Sequence, residues 1–359
     1  MINYKGIHKG RYVYLLAVFY GNPSSMPNQE YSSTNELSLT RYRSLPVDIR
    51  AAGLPQAIEE LGPDATYAFI DFFISNIRNK NTRAAYSRAV WRFFKECSLP
   101  LAEISSMHVA VHIETLGSEL AAPSVKQHLA AIRMLFDWLV VKQIMPQNPA
   151  QSVRGPKHVV KKGKTPILYA DEVRQLFESI DTSTDSGKRD KAFIATLFYT
   201  FARVSAVCKM TKADVFTQKR RQWVRLAEKG GKQHEMPCHH LLEEYLQDYL
   251  ENSQISEFSD ASTPLFCSIE KGRNGYFTGK PLTRQVAYKL VRRRLRQANI
   301  PTKAGNHMFR ASGITIYLEN GGQVENAQQM ASHESPRTTK LYDRRSDDIS
   351  LDEVEKIII

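Results

Sequence analysis

NHMFRASGITIYLENGGQVENAQQMASHESPRTTKLYDRR, residues Asn306 to Arg345, is the stretch around which the chain is organised. His307 and Arg310 are spaced i, i+3, so both side chains leave one face of a helix in its first turn. Asn306 reads as the N-cap and Gly321-Gly322 as the stop. A helix N-terminus presents free N–H groups and the positive end of the dipole, so a cation and an imidazole placed there make an anion seat. A short helix, 324–331, comes next, then His333, a break at Ser335-Pro336, and a turn that delivers Tyr342. Two histidines, an arginine and a tyrosine converging on an anion form a phosphate-handling site with a phenolic nucleophile.

The order His307-x-x-Arg310, His333, Tyr342, with the tyrosine nine positions after the second histidine, resembles the C-terminal signature of the tyrosine site-specific recombinases. This is the phage-integrase family, which includes the Xer-type enzymes. The resemblance implies two further catalytic residues upstream. Arg203, in Phe201-Ala202-Arg203-Val204-Ser205 at a helix junction, matches the first arginine by context. Lys229, in Lys229-Gly230-Gly231-Lys232, matches the lysine that the family carries on a β-hairpin, with Lys232 as the alternative. The pattern departs from the family at two places. Phe201 stands where a glycine is usual, and Ala206 stands where an acid, three residues after the arginine, is usual.

At 359 residues the chain suits two domains, each long enough to bury a core. Its 42% hydrophobic and 24% charged residues are those of a globular protein, and a net charge of +12 points to a polyanionic partner. The four cysteines, Cys97, Cys208, Cys238 and Cys267, are too scattered for a disulfide framework, so a reducing compartment is expected. The apolar run from Tyr12 to Tyr20 is far short of the ~20 residues a membrane span needs. Lys5, Lys9 and Arg11 precede it as in a signal peptide, but no small-x-small cleavage site follows; alternatively, Met26 is the start and 1–25 an upstream extension.

Residues 1–60 are expected to be a flexible arm, rich in Asn, Ser, Pro and Arg from 22 onward. The fold class expected beyond it is mainly α with a small β-hairpin: an all-α four-helix domain at 61–146, then a catalytic domain at 168–345. The helical pattern runs through 65–77, a second helix capped at Asn81-Thr82, a weaker one at 107–120, and a fourth starting near Pro123. The aromatics on these helices read as core. Arg83, Lys126 and Arg133 on their polar faces are candidates for DNA phosphates. This block resembles the family's N-terminal core-binding (SAM-like) domain. A proline-punctuated stretch at 147–167, with Lys161 and Lys162 and no acid, reads as a basic linker on a DNA backbone.

The second domain opens with a helix capped by Asp171, and Lys191 to Thr200 is strongly apolar. Trp223 to Glu228 and Gln233 to Pro237 alternate around a glycine turn, which is a hairpin. His234, Cys238, His239 and His240 match no common zinc spacing, so no metal site is expected, and His239-His240 starts a helix. A helix from Leu282 to Ala298 carries Arg292, Arg293 and other cations with no acid among them, which predicts a DNA-facing surface. Residues 346–359 read as a segment that folds back or docks on a neighbouring copy.

A phosphodiester is a poor electrophile because its oxygens repel a nucleophile. Paired guanidinium donors from Arg203 and Arg310 stabilise the charge gathering on the non-bridging oxygens. His307 accepts the phenol's proton, His333 holds a phosphate oxygen, and Lys229, by the resemblance, protonates the departing 5′-oxygen. Capture on Tyr342 conserves the phosphoester bond, so rejoining needs no cofactor. The resemblance implies a recombinase that holds double-stranded DNA between its two domains and works through a 3′-phosphotyrosyl intermediate and a Holliday junction. It also implies a homo-tetramer on two DNA sites and a cytoplasmic, nucleoid-associated setting, with no membrane role. Two alternatives stay open: a type IB topoisomerase-like relaxing enzyme, and a catalytically silent DNA-binding regulator.

Overall fold

A computed structural model describes residues 54–158, 165–228, 231–270, 275–301 and 305–343. The chain divides into two compact units between 159 and 160. Both are mainly helical, and the second carries small antiparallel sheets. Among the described residues no helix is long and apolar enough to cross a membrane.

The first unit comprises helices α1 (Gln56–Glu59), α2 (Pro63–Asp71), α3 (Lys80–Glu96), α4 (Ser106–Glu119) and α5 (Ala122–Val141). Ile58 of α1 is fully buried, so the end of the expected flexible arm belongs to the helical core. The second helix is capped by Asn79 rather than at 81–82. The Asn79 side chain accepts from the N–H groups of Asn81 and Thr82 at 2.9 and 3.2 Å. A π-helical turn, Phe72–Asn76, continues α2. Phe69, Phe72, Phe73, Phe93 and Phe136 fill the interior, edge to face.

Two of the arginines expected on phosphates have other work here. Arg83 is buried, and its Nε and Nη2 donate to the Ile77 carbonyl at 3.1 and 2.7 Å, closing the end of the π turn. Arg133 donates to the carbonyls of Ala150 and Val153 at 3.2 and 2.6 Å. Ala150 and Val153 are buried in the first unit's core, so the opening residues of the expected linker are folded structure. Both guanidinium groups answer backbone acceptors that would otherwise be buried without donors. Lys126 is exposed, as a phosphate contact requires, whereas Lys161 and Lys162 lie outside the described residues.

In the second unit α6 (Ala170–Glu178) is capped from Tyr169, whose N–H donates to Glu172 at 2.9 Å, so Asp171 falls in the first turn instead of the cap. The central element is α7 (Asp185–Tyr199), whose residues from Ala192 to Leu197 are all buried. The short helix α8 (Val204–Val207) leads to strands β1 (Val215–Gln218), β2 (Arg221–Ala227) and β3 (Gln233–Pro237), paired in that order with Val224 opposite both Val215 and Met236. Strand β1 escapes the sequence pattern because its turn uses Lys219 and Arg220 in left-handed conformations (φ 48° and 64°), with no Asn-Gly to mark it. Helix α9 (His240–Glu251) packs on α7. A second small sheet, β4 (Cys267–Ile269) with β5 (Phe277–Pro281), follows, then α10 (Arg284–Gln297), α11 (His307–Glu319), α12 (Val324–Met330) and α13 (Pro336–Lys340).

The acid missing from the arginine-rich helix α10 comes from α7. Asp190, fully buried, accepts from Arg189 at 2.7 and 3.0 Å, from Arg293 at 2.6 Å and from Arg294 at 2.8 Å. Arg294 is buried, and Arg293, about half exposed, spends a donor on this carboxylate instead of presenting its whole fork to a phosphate. Arg292 is half-buried on the same helix. Asp190→Ala strands buried guanidinium charge, and chemical denaturation of the full chain is expected to show a loss of about 3–5 kcal/mol, the cost of breaking a buried pair from one side.

Candidate active site

Helix α11 sets the site. Met308, Phe309, Ala311 and Ile314 bury it on most sides, which fixes the direction of its first turn. Asn306 does not cap it: the residue is helical (φ −50°, ψ −33°), makes no side-chain cap bond, and its Oδ1 is buried without a partner. The glycine stop holds, with Gly321 at φ +85° and Gly322 N–H donating to the Tyr317 carbonyl at 2.9 Å. Ser335-Pro336 starts a helix instead of breaking one. Ser335 Oγ accepts from Arg337 N–H at 3.3 Å and Pro336 occupies the first turn of α13.

That short helix carries Tyr342 back over α11. His307 Nε2 lies 2.9 Å from the Tyr342 hydroxyl. Thr315, buried on α11, donates to the Tyr342 carbonyl at 3.0 Å and ties the backbone of Tyr342 to that helix. The ring of His333 lies parallel to that of Tyr342, 5.7 Å between centroids, and its Nδ1 is 2.9 Å from Thr339 Oγ1. Arg310 is 1% exposed. Its Nη1 donates to the Phe201 carbonyl and its Nη2 to the Ala331 carbonyl, while Nε is buried without a partner. Two of the five donors of a guanidinium are thus anchored, and the fork is held in one orientation.

Phe201 follows the end of α7 with φ 54°, the left-handed conformation in which glycine usually terminates a helix. Phenylalanine takes up this left-handed turn at a cost of roughly 1 kcal/mol, which burial of its ring offsets. The ring packs with Ile314, Leu318 and Tyr342. It lies against Gly313, where a Cβ would come within 2.7 Å of the ring and 2.5 Å of the Phe198 carbonyl.

Two residues on, Arg203 donates through Nη1 to Glu228 Oε2 at 2.6 Å. Glu228, at the end of β2, was absent from the residues expected at the site. So were Thr315 and Thr339, which have no spacing signal at all. The only hint of Glu228 was the acid missing at Ala206. Lys229 lies outside the described residues. His239 Nδ1 accepts from Leu241 N–H at 3.3 Å and its ring stacks on Tyr199; among the described residues no three His, Cys, Asp or Glu groups converge as a metal site.

Electrostatics follow from this packing. Burial, and then Arg203, lower the pKa of Arg310 to about 10. His333 is pushed down to about 3, by burial first and then by Arg310, Arg203 and His307. His307 keeps an exposed edge, yet the protein around its ring, and then Arg310 and Arg203, hold it below the ordinary histidine value. Both imidazoles are therefore neutral near pH 7, the form in which His307 can accept a proton.

The model of the phage integrase family matches residues 166–348, half of the chain. The chain belongs to the phage integrase family. It is 28% identical over 275 residues to tyrosine recombinase XerD of Staphylococcus haemolyticus, covering 74% of this chain and 88% of that one. It is 26% identical to tyrosine recombinase XerC of Anoxybacillus flavithermus, covering 76% and 90%. The fold matches that of XerH bound to a palindromic difH substrate in a post-cleavage complex (TM-score 0.62, 16% identity, 88% and 94% covered). It also matches a lambda integrase dimer, residues 75–356, on a COC′ core site (TM-score 0.60, 17% identity, 80% and 97% covered). Relatives named as tyrosine recombinases make this integrase an enzyme of DNA strand transfer.

In the unfolded integrase both histidines protonate near about pH 6.5, whereas the folded chain keeps them neutral to lower pH. Their contribution to stability is complete above that value and is lost as pH falls toward about 3 for His333. The melting temperature of the wild type is expected to fall on acidification from pH 7 to 4, and to fall less in His333→Gln.

Proposed function

We propose that this integrase is a site-specific recombinase that cuts and rejoins double-stranded DNA through Tyr342. The observation that carries the reading is the 2.9 Å contact between His307 Nε2 and the Tyr342 hydroxyl beside the buried guanidinium of Arg310. The phenolic oxygen attacks phosphorus as its proton passes to His307, and the bond from phosphorus to the 5′-oxygen breaks. Arg203 and Arg310 stabilise charge on the non-bridging oxygens. His333, when Nδ1 accepts from the Thr339 hydroxyl, carries its proton on Nε2 and can donate to one of those oxygens. Lys229 supplies the proton to the 5′-oxygen, a role that rests on resemblance. The 3′-phosphotyrosyl bond stores the phosphoester energy, so a 5′-hydroxyl from another duplex reverses the step without ATP.

Two such exchanges pass through a Holliday junction on a homo-tetramer spanning two sites. The net charge of +12 supports a polyanionic partner, with Lys126, Lys161, Lys162 and Arg292 as backbone contacts.

The test is a library of nicked duplexes of random sequence, from which cleavage releases a short fragment and traps the adduct. Wild type is expected to yield a covalent protein–DNA species in denaturing gels, and sequencing the attached strand identifies the target. Tyr342→Phe should give none, and Arg310→Lys should form adduct roughly 100- to 1,000-fold more slowly, the usual loss for one oxyanion donor. Retarded DNA without adduct would favour a silent regulator instead. Adduct with supercoil relaxation but no exchange between two sites would favour a topoisomerase-like enzyme.

A further inference from the structure

Arg203 has no acid in the short helix that follows it, where the family usually places one. Ala206 occupies that position and is fully buried. The carboxylate arrives from a different element. Glu228, the residue after β2, has a side chain only 3% exposed and puts Oε2 2.6 Å from Arg203 Nη1. Its Oε1 faces the Arg203 backbone N–H at 3.5 Å, at the limit of a hydrogen bond. The backbone N–H of Glu228 donates to the Lys232 carbonyl at 2.8 Å, which ties its main chain to the mouth of the hairpin.

We propose that Glu228 is the positioning residue for Arg203, supplying from strand β2 the carboxylate that Ala206 cannot. The proposal rests on the recombinase reading above and deepens it. A guanidinium has five donors in a rigid fork. Anchoring one of them on a buried carboxylate limits the orientations of the fork on a side chain that is 32% exposed. Without the anchor the long side chain samples many rotamers, and each must be excluded again when the transition state forms. Glu228 also moderates the charge of the pocket, because its field raises the pKa of Arg310 against burial and the field of Arg203.

A purely structural ion pair would show itself in stability alone. The discriminating variant is Glu228→Gln, which keeps shape and a hydrogen-bond acceptor and removes the charge. The probe is a nicked duplex of the sequence recovered from the wild-type adduct, cleaved by full-length protein in single turnover at saturating DNA. The dissociation constant for the same duplex and the melting temperature are measured beside it. Glu228→Gln is expected to cleave roughly 10- to 100-fold more slowly, the scale of a misplaced catalytic group. Its dissociation constant should stay level or fall, since a negative charge has left the pocket. Glu228→Asp, which keeps the charge, should stay within about threefold of wild type, and Ala206→Glu added to Glu228→Gln should regain at least about threefold in rate.

Glu228→Gln cleaving within about twofold of wild type overturns the proposal. So does a slow Glu228→Gln whose weaker affinity or lower melting temperature accounts for the loss. A wild type that forms no adduct overturns the recombinase reading and this proposal together. A wild type that cleaves beside an unaffected Glu228→Gln overturns the proposal alone.

Discussion

The site depends on one buried cation. Arg310 is 1% exposed, and its guanidinium is held by two backbone carbonyls, from Phe201 and Ala331, with no carboxylate on it directly among the described residues. Placing an uncompensated charge inside a protein costs several kcal/mol, even after relaxation. The fold sustains it with backbone acceptors from two elements and with the field of Glu228, which favours the charged guanidinium. A phosphodiester is the kind of group that completes such a pocket, because its non-bridging oxygens accept from a planar fork.

The same cation explains the histidines. Its field, added to burial, keeps His333 neutral and holds His307 low, so neither imidazole adds to the positive charge already there. A lowered pKa also makes His307 a weaker base. In the proposed reaction an arriving phosphate offsets the field of the two arginines, so the basicity of His307 rises when a proton is to be taken. On that proposal, charge on the substrate and proton acceptance are coupled through Arg310.

Geometry around Arg310 in turn depends on how α7 ends. Phe201 turns left-handed, aims its carbonyl at Arg310, and sends the chain toward Arg203 two residues later. Its ring belongs to the same small apolar cluster as Tyr342, Ile314 and Ala331. Glycine would give the turn without the ring; phenylalanine gives both, and Gly313 supplies the space.

The sequence by itself determined the helix stop at Gly321 and the hairpin through β2 and β3, while resemblance to a family singled out Arg203, His307, Arg310, His333 and Tyr342 as the expected site. The stop and the hairpin are local, a glycine and an alternation, each decided by a few neighbouring side chains. Strand β1 and its Lys219-Arg220 turn were not legible, because left-handed cations carry no turn signal. Nor could a sequence assign work to individual arginines. Arg83 closes a π turn, Arg133 ties down residues 150–153, and Arg293 shares Asp190 with Arg189 and Arg294. Glu228 lies 25 residues from Arg203, and Thr339 meets His333 across a helix start. Partners of that kind are chosen by packing between distant elements, so only the tertiary structure could decide which charges face a ligand and which are spent holding the fold.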